Sequence, residues 1–132
     1  MKPHRLEVRF ADIDVMGHVN NAIFLNYFEQ GRIAFFRQHN QSDWDWSKYG
    51  IIVARNEVDY LKPVLLHDEV YVTAEFGKMG NKSFQMIMRV FRKIDDTEVN
   101  CAKGVVTLVC FDYKQQKTIP VPDEWRSSPQ KK

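Results

Sequence analysis

The chain has 132 residues, 44% hydrophobic and 27% charged, which suits a single domain over 1–132 built on one core. A formal net charge of +2, with basic residues scattered rather than striped, excludes a surface designed to coat nucleic acid. Met1-Lys2-Pro3-His4-Arg5 runs directly into alternating residues with no apolar stretch, so neither a signal peptide nor a membrane anchor is expected.

Alternation begins at Arg5. Leu6, Val8 and Phe10 point one way and Arg5, Glu7 and Arg9 the other, which predicts a half-buried strand. A polar loop runs from Asp12 to Asn21, and either Asn20 or Asn21 is competent to cap the helix that follows. That helix is predicted from Ala22 to about Gln38. Its apolar residues leave only a narrow polar stripe of Asn26, Glu29, Gln30 and Arg37, so burial on several sides is expected. Gly31 costs the helix about 1 kcal/mol relative to Ala and implies close approach of a neighbouring backbone.

Residues 41–50 read as an irregular link carrying Trp44 and Trp46. Four strands are predicted beyond it, at about 51–61, 68–79, 82–94 and 98–112. The links Met79-Gly80-Asn81-Lys82 and Asp95-Asp96-Thr97 have hairpin chemistry. In the last strand Val105, Thr107, Val109 and Phe111 share one side and Val106, Leu108 and Cys110 the other, which predicts cover on both faces. Cys101 and Cys110 lie nine residues apart on it, roughly 30 Å, too far for a disulfide; two free thiols in a reducing cytosol are expected. Pro120, Pro122 and Pro129 lead the tail off the sheet, with one helical turn near Asp123-Glu124-Trp125 and a solvated Lys131-Lys132 end. The expected architecture is α+β, a five-stranded antiparallel sheet wrapped around one long central helix.

The sharpest segment is Arg9-Phe10-Ala11-Asp12-Ile13-Asp14-Val15-Met16-Gly17-His18-Val19-Asn20-Asn21, followed by Phe24-Leu25-Asn26-Tyr27-Phe28-Glu29. It resembles the motif that opens hot-dog-fold thioesterases of the 4-hydroxybenzoyl-CoA thioesterase type. The run His18-Val19-Asn20-Asn21 is also similar to one in plant acyl-carrier-protein thioesterases. Gly80 and Ser83 fall where the family has a Gly-x-x-Ser turn, residues 104–112 look like its last strand, and Ile119-Pro120-Val121-Pro122 looks like its exit. The resemblance implies a hot-dog fold and hydrolysis of acyl-CoA thioesters; the cysteines and the amino terminus set the expected compartment as the cytoplasm. It also implies subunits paired into a continuous sheet with clefts across the interface, at least a dimer, with a homotetramer allowed.

The chemistry suits the segment. Thioester hydrolysis needs a carboxylate to attack or to activate water, and donors for the developing oxyanion. Asp14 offers the carboxylate on a loop ending at a helix amino terminus, where backbone N–H groups are unpaired and the dipole is positive. Matching onto the family puts the carbonyl-polarising amide at Asn21, and Gly17 allows a tight turn or close ligand approach. His18 either orients Asp14 or the thioester, or braces the loop. Met16 stands where the plant enzymes have an Asn, so their full Asp-Asn-His set is incomplete. Asp12 reads as structural. Glu29 is a second carboxylate candidate, since a related branch carries its catalytic acid on this helix; the alternative is pairing with Arg32 or a neighbouring subunit.

Lys78, Lys82, Arg89 and Lys93 surround the second hairpin, and Lys82 or Arg89 is placed to meet a coenzyme A phosphate, the alternative being plain surface charge. Ser83 either bonds the pantetheine or finishes a turn. Phe24, Tyr27, Phe28 and Tyr60 are candidates to line the acyl pocket. His4, His18, His39 and His67 have no zinc-like spacing and no Gly-rich phosphate loop occurs, so no metal and no cofactor are expected, coenzyme A being part of the substrate. Two rival functions remain: a hydratase or dehydratase on the same fold, whose Asp/His motifs are missing, and a non-catalytic acyl-thioester-binding module.

Overall fold

The computed structural model describes residues 1–39 and 44–128. In chain order it contains strand β1 (His4–Leu6), a 3-10 turn at Phe10–Asp12, helix α1 (Ile23–His39) and strands β2 (Tyr49–Tyr60), β3 (Glu69–Met79), β4 (Ser83–Ile94), β5 (Thr97–Asp112) and β6 (Lys117–Thr118). A short helix α2 (Asp123–Arg126) follows. The sheet is antiparallel in the order β1-β3-β4-β5-β2, with β6 added on β5. This is the expected hot-dog arrangement with a sixth strand. At two residues, β6 is too short to carry a periodicity; it forms because the chain reverses at Gln116, whose φ is 54°, and lies back on Phe111 and Asp112. Residues 41–43 of the expected link, and Pro129, Lys131 and Lys132 of the tail, lie outside the described residues.

Strands β2 to β5 start and end within two residues of expectation, whereas β1 is shorter than the alternation suggests. Phe10, expected to face inward, is 84% exposed. The alternation stops because the Asp12 carboxylate takes the Arg9 amide at 3.0 Å, which winds 10–12 into a turn and rotates Phe10 outward.

Helix α1 lies on one face of the sheet, chiefly over β3 and β4. Phe24, Tyr27, Phe28, Gly31, Ala34 and Phe35 face the sheet and are buried, with Phe28 wholly so. Gly31 permits this closeness: a methyl there would stand 2.7 Å from Val72 Cγ2 and 3.1 Å from Met88 Cε. The neighbours are side chains, not the backbone the sequence suggested. Burial on several sides is not found either. Leu25, Glu29 and Ile33, spaced at i, i+4 and i+8, form an exposed face. Strand β5 differs in the same way: Val106, Leu108 and Cys110 are fully buried, while Val105, Thr107, Val109 and Phe111 are half-buried. One helix can cover only one face of a sheet.

The far end of the core is closed by α2, the helical turn expected near Trp125. Its indole is fully buried, 5.1 Å from Phe36 and 4.8 Å from Trp44 between ring centres. Both cysteines are free and buried on the one strand β5, as expected.

Gly31→Ala is expected to destabilise the protein. The clash with Val72 and Met88 costs about 1–3 kcal/mol as overpacking, against a gain of about 1 kcal/mol in helix propensity. A lower midpoint in thermal unfolding checks this, and a higher one refutes the tight α1–β3 contact.

Candidate active site

The loop between β1 and α1 is organised by one buried carboxylate. Asp12 is 1% exposed and accepts hydrogen bonds from the Arg9 amide (3.0 Å), Arg9 Nε (3.2 Å), Arg9 Nη2 (2.9 Å) and the Tyr27 hydroxyl (3.0 Å). Its own carbonyl accepts the Asn20 N–H at 2.8 Å. Burial alone would raise this carboxyl, but the Arg9 backbone and side chain, with Tyr27, hold it below the usual carboxylate value. Asp12 is therefore a structural residue, as its position suggested.

The next residues form a closed tip. Ile13 and Val19 pair as an isolated bridge, the Asp14 N–H reaches the His18 carbonyl at 2.8 Å, and the Gly17 N–H reaches the Asp14 carbonyl at 3.0 Å. Gly17 has φ +80°, a conformation that glycine adopts without cost and that closes the turn. One Asp14 carboxylate oxygen accepts the Met16 N–H at 2.9 Å; the other has no hydrogen-bond partner among the described residues. The tip is anchored from the side by the Val19 N–H on the Val64 carbonyl, 2.9 Å. Val15 (99%) and Met16 (74%) are left in solvent beside Asp14.

The start of α1 can be read amide by amide. Asn20 is the cap: its Oδ1 takes the Ala22 N–H at 2.9 Å and its carbonyl the Ile23 N–H at 2.9 Å. Phe24 N–H reaches the Asn21 carbonyl and Leu25 N–H the Ala22 carbonyl, both at 3.2 Å. From Asn20 to Leu25, only the Asn21 N–H donates to nothing among the described residues. The Asn21 carbonyl is fixed by the Tyr60 hydroxyl at 3.1 Å, which ties the end of β2 to the helix start. An unpaired N–H at a helix amino terminus is a ready donor to an oxyanion.

His18, Asn21, Phe24, Tyr60 and Lys62 line one cavity of about 230 Å³. Thus Asp14, Gly17, His18, Asn21 and Tyr60 are gathered at one end of β2. Of the acyl-pocket candidates Phe24 and Tyr60 line this cavity, while Tyr27 and Phe28 are core residues. Lys62 was not singled out from the sequence; its only signal there is its place two residues after Tyr60.

Glu29 lines a different, larger cavity of about 720 Å³, with Arg32, Ile33, Phe36, Ile51 and Val53 among its walls. Arg32, named from the sequence only as a partner for Glu29, is 7% exposed and makes no hydrogen bond or salt bridge among the described residues. Burial pulls its guanidinium below the usual value, and Glu29 draws it partly back.

Lys82 and Ser83 sit elsewhere. Ser83 faces Val109 of β5 and Tyr60 faces Ala102 of β5, so seven residues, about 23 Å at ~3.3 Å each, separate the two levels. The Ser83 carbonyl accepts the Gly80 N–H at 2.7 Å, completing the hairpin turn. The basic cluster expected around this hairpin is split, because Arg89 and Lys93 run along β4 away from it. Arg89 is held by Asn100 (2.6 Å) and Glu98 and lies over the Phe91 ring, so its charge is already engaged.

Neither thiol is placed to act as nucleophile. Burial raises both, Cys110 to about 12, so neither ionises at neutral pH. Among the described residues no three His, Cys, Asp or Glu side chains form a group able to hold a metal ion. No helix there is long and apolar enough to cross a membrane.

Asp12→Asn is expected to cost about 1–3 kcal/mol at neutral pH, since Tyr27 and Arg9 lose an ionised acceptor. The native Asp12 carboxyl titrates below its unfolded value of 3.8, so its contribution is complete above that pH and is lost as pH falls through the lower native value. Denaturant unfolding at pH 7 and pH 3 checks this: the gap between wild type and variant narrows at pH 3.

Residues 8–128 match the profile of the thioesterase-like superfamily. The long-chain acyl-CoA thioesterase FadM of Escherichia coli K12 is 27% identical over 92% of this chain and 92% of its own. The acyl-CoA thioesterase YbgC of Haemophilus influenzae is 23% identical over 93% and 90%. A thioesterase from Thermus thermophilus, solved in complex with coenzyme A and zinc, is 40% identical over 94% of this chain and 93% of its own, with a TM-score of 0.76. The PA2801 protein of Pseudomonas aeruginosa is 28% identical, covers 95% of each chain and has a TM-score of 0.80. The chain belongs to the thioesterase-like superfamily.

Proposed function

We propose that this protein hydrolyses acyl-coenzyme A thioesters to the free acid and coenzyme A, in the cytosol, as a homodimer or a larger homo-oligomer. The observation that carries the reading is the unpaired Asn21 N–H at the start of α1, beside His18 and Tyr60 and on the loop that presents Asp14. The Asn21 amide polarises the thioester carbonyl and takes up the negative charge that develops on its oxygen. Asp14 removes a proton from a water that attacks the carbonyl carbon and passes it to the thiolate as the C–S bond breaks; in the covalent variant Asp14 itself attacks, the C–S bond breaks to leave an acyl–Asp14 anhydride, and water then hydrolyses that anhydride to the free acid, its proton ending on the thiolate. His18 lines the cavity and braces Asp14 through its carbonyl. The acyl-CoA thioesterases among the relatives support this reaction, and coenzyme A in the Thermus thermophilus structure supports the leaving group.

Two features support the oligomer. Strand β2 is a sheet edge, exposed over most of its length and carrying Ile52 and Val53; such an edge invites pairing. The Lys82–Ser83 turn is also too far from Asn21 to share a substrate within one chain. Antiparallel β2–β2 pairing about a twofold axis carries one chain's Lys82 and Ser83 towards the other's Asn21 and Tyr60, where they meet the pantetheine and its phosphates. The exposed Val15 and Met16 beside Asp14 gain cover in the same assembly. Two buried thiols with no disulfide support a reducing compartment.

Asp14→Asn is expected to lower kcat by about 10²–10⁴-fold with little change in substrate binding, whereas Glu29→Gln costs far less. Thiol release from intact oligomer of each variant checks this, and the opposite ranking would transfer the catalytic role to Glu29. Sedimentation at micromolar concentration is expected to give at least a dimer; a fully active monomer would refute the shared site.

A further inference from the structure

The cavity at the start of α1 carries a cation that the reaction does not use. His18, Asn21, Phe24, Tyr60 and Lys62 line it, and among the described residues no Asp or Glu is on its wall. The Lys62 ammonium has no hydrogen bond, ion pair or ring contact among the described residues. Two other cations at this end of the fold are already engaged. Arg9 is held by Asp12 at 2.9 Å, and Arg92 by Asp68 at 3.6 Å and by the Pro63 carbonyl at 3.1 Å.

The backbone under Lys62 is fixed. Its N–H and that of Leu61 share the Cys101 carbonyl, at 3.2 and 2.8 Å, and Pro63 restricts the next φ. Two further bonds lay this segment against the loop that starts α1: the Tyr60 hydroxyl on the Asn21 carbonyl at 3.1 Å, and the Val19 N–H on the Val64 carbonyl at 2.9 Å. Lys62 is the middle residue between these two clamps, so Lys62 and Asn21 border the same space. With the thioester carbonyl at Asn21, the pantetheine arm carries the coenzyme A phosphates away from the cavity. The far end of a short acyl group stays within reach of the flexible lysine stem.

Size sets the acyl class. At about 30 Å³ for each water-sized group, the cavity of about 230 Å³ holds roughly seven or eight heavy atoms. That suits a short acyl group with a carboxylate at its end and leaves no room for a long chain. We propose that Lys62 is a specificity residue that pairs with a distal carboxylate, so that monothioesters of α,ω-dicarboxylic acids with about three to five carbons are favoured over uncharged acyl groups of the same length. The rings of Phe24 and Tyr60 hold the methylenes. Lys62 is exposed to the solvent of the cavity, and an acyl group that fills the space displaces the water between the two charges and strengthens their attraction. The inference rests on the thioesterase reading for the placement of the carbonyl at Asn21.

The test compares succinyl-CoA with butyryl-CoA, which are equal in length and differ only at the distal carbon, with uncatalysed hydrolysis subtracted. Wild type is expected to favour succinyl-CoA in kcat/KM by on the order of 10-fold, the size of a charge-assisted hydrogen-bond contribution. Lys62→Met is expected to lower the succinyl-to-butyryl ratio by about the same factor, Lys62→Arg to keep most of it, and Lys62→Glu to push it below the Lys62→Met value. Both substrates meet the same sample, so the ratio does not depend on the fraction of a variant that folds. The same pair is titrated calorimetrically onto Asp14→Asn, where succinyl-CoA is expected to bind about 10-fold more tightly. This arm needs no turnover: absent thiol release from both substrates with the binding preference intact sinks the hydrolase reading and leaves the Lys62 assignment standing. Equal kcat/KM for the two substrates in wild type overturns the assignment and leaves the hydrolase reading standing. So does a succinyl preference that Lys62→Met retains in full.

Discussion

The candidate site depends on a single buried carboxylate. Asp12 gathers the Arg9 amide, the Arg9 guanidinium and the Tyr27 hydroxyl, and its carbonyl takes the Asn20 amide. These bonds join the end of β1, the loop and the second turn of α1 into one unit. A carboxylate removed from water is tolerated only when its lone pairs are filled, so the arrangement around Asp12 has little latitude. Its neighbour but one, Asp14, inherits a defined place from this rigidity while one of its oxygens has no partner among the described residues. The two Asp residues of one short run are separated by environment: one is sequestered and fully bonded, the other is held at the tip of a turn where a substrate can reach it.

The same economy governs the helix start. A capped amino terminus normally leaves several N–H groups to solvent. Here the Asn20 side chain, its carbonyl and the Asn21 carbonyl satisfy the surrounding amides, and Tyr60 fixes the Asn21 carbonyl from across the groove. What is left is one N–H, oriented by everything around it. Preorganisation of this kind makes a backbone amide effective against developing charge, because nothing must reorganise when the charge appears.

The length of β2 sets the scale of the molecule. Its Tyr60 end belongs to the helix start and the candidate catalytic residues, and its Tyr49 end to Trp44 and the hairpin of Lys82 and Ser83. A sheet covered by one helix on one face leaves an unpaired edge, a half-buried outer face and an exposed strip of α1 at Leu25, Glu29 and Ile33. These open surfaces are the complement of the packing that built the core. A groove walled by α1 and that open edge follows directly from a helix that sits over β3 and β4 rather than over the sheet's full width.

Much of this was legible in the residues alone. Alternation located β2 to β5 because each strand has one face against the helix, and the period of α1 was clear because its buried face is almost wholly aromatic or aliphatic. The opening motif brought Asp14, Gly17, His18 and Asn21 to notice together, since they are adjacent in the chain and their proximity is local. Local pattern erred where a side-chain hydrogen bond or the rise of a strand intervened. Phe10 continued the alternation of Leu6 and Val8, but Asp12 bent the chain before it. Lys82, Ser83 and Arg89 looked like one phosphate-binding group beside a hairpin, yet a strand rising ~3.3 Å per residue carries Arg89 away to Glu98 and Asn100. Lys62 had no motif to mark it. The sequence by itself determined which residues prefer strand, helix or turn and which short run holds the carboxylates and amides. Tertiary structure alone decided that the Asn21 amide has no partner among the described residues and that Arg32 is buried, because Asp12 and Tyr60, which hold the helix start, and the groups that cover Arg32 lie on separate elements of the fold.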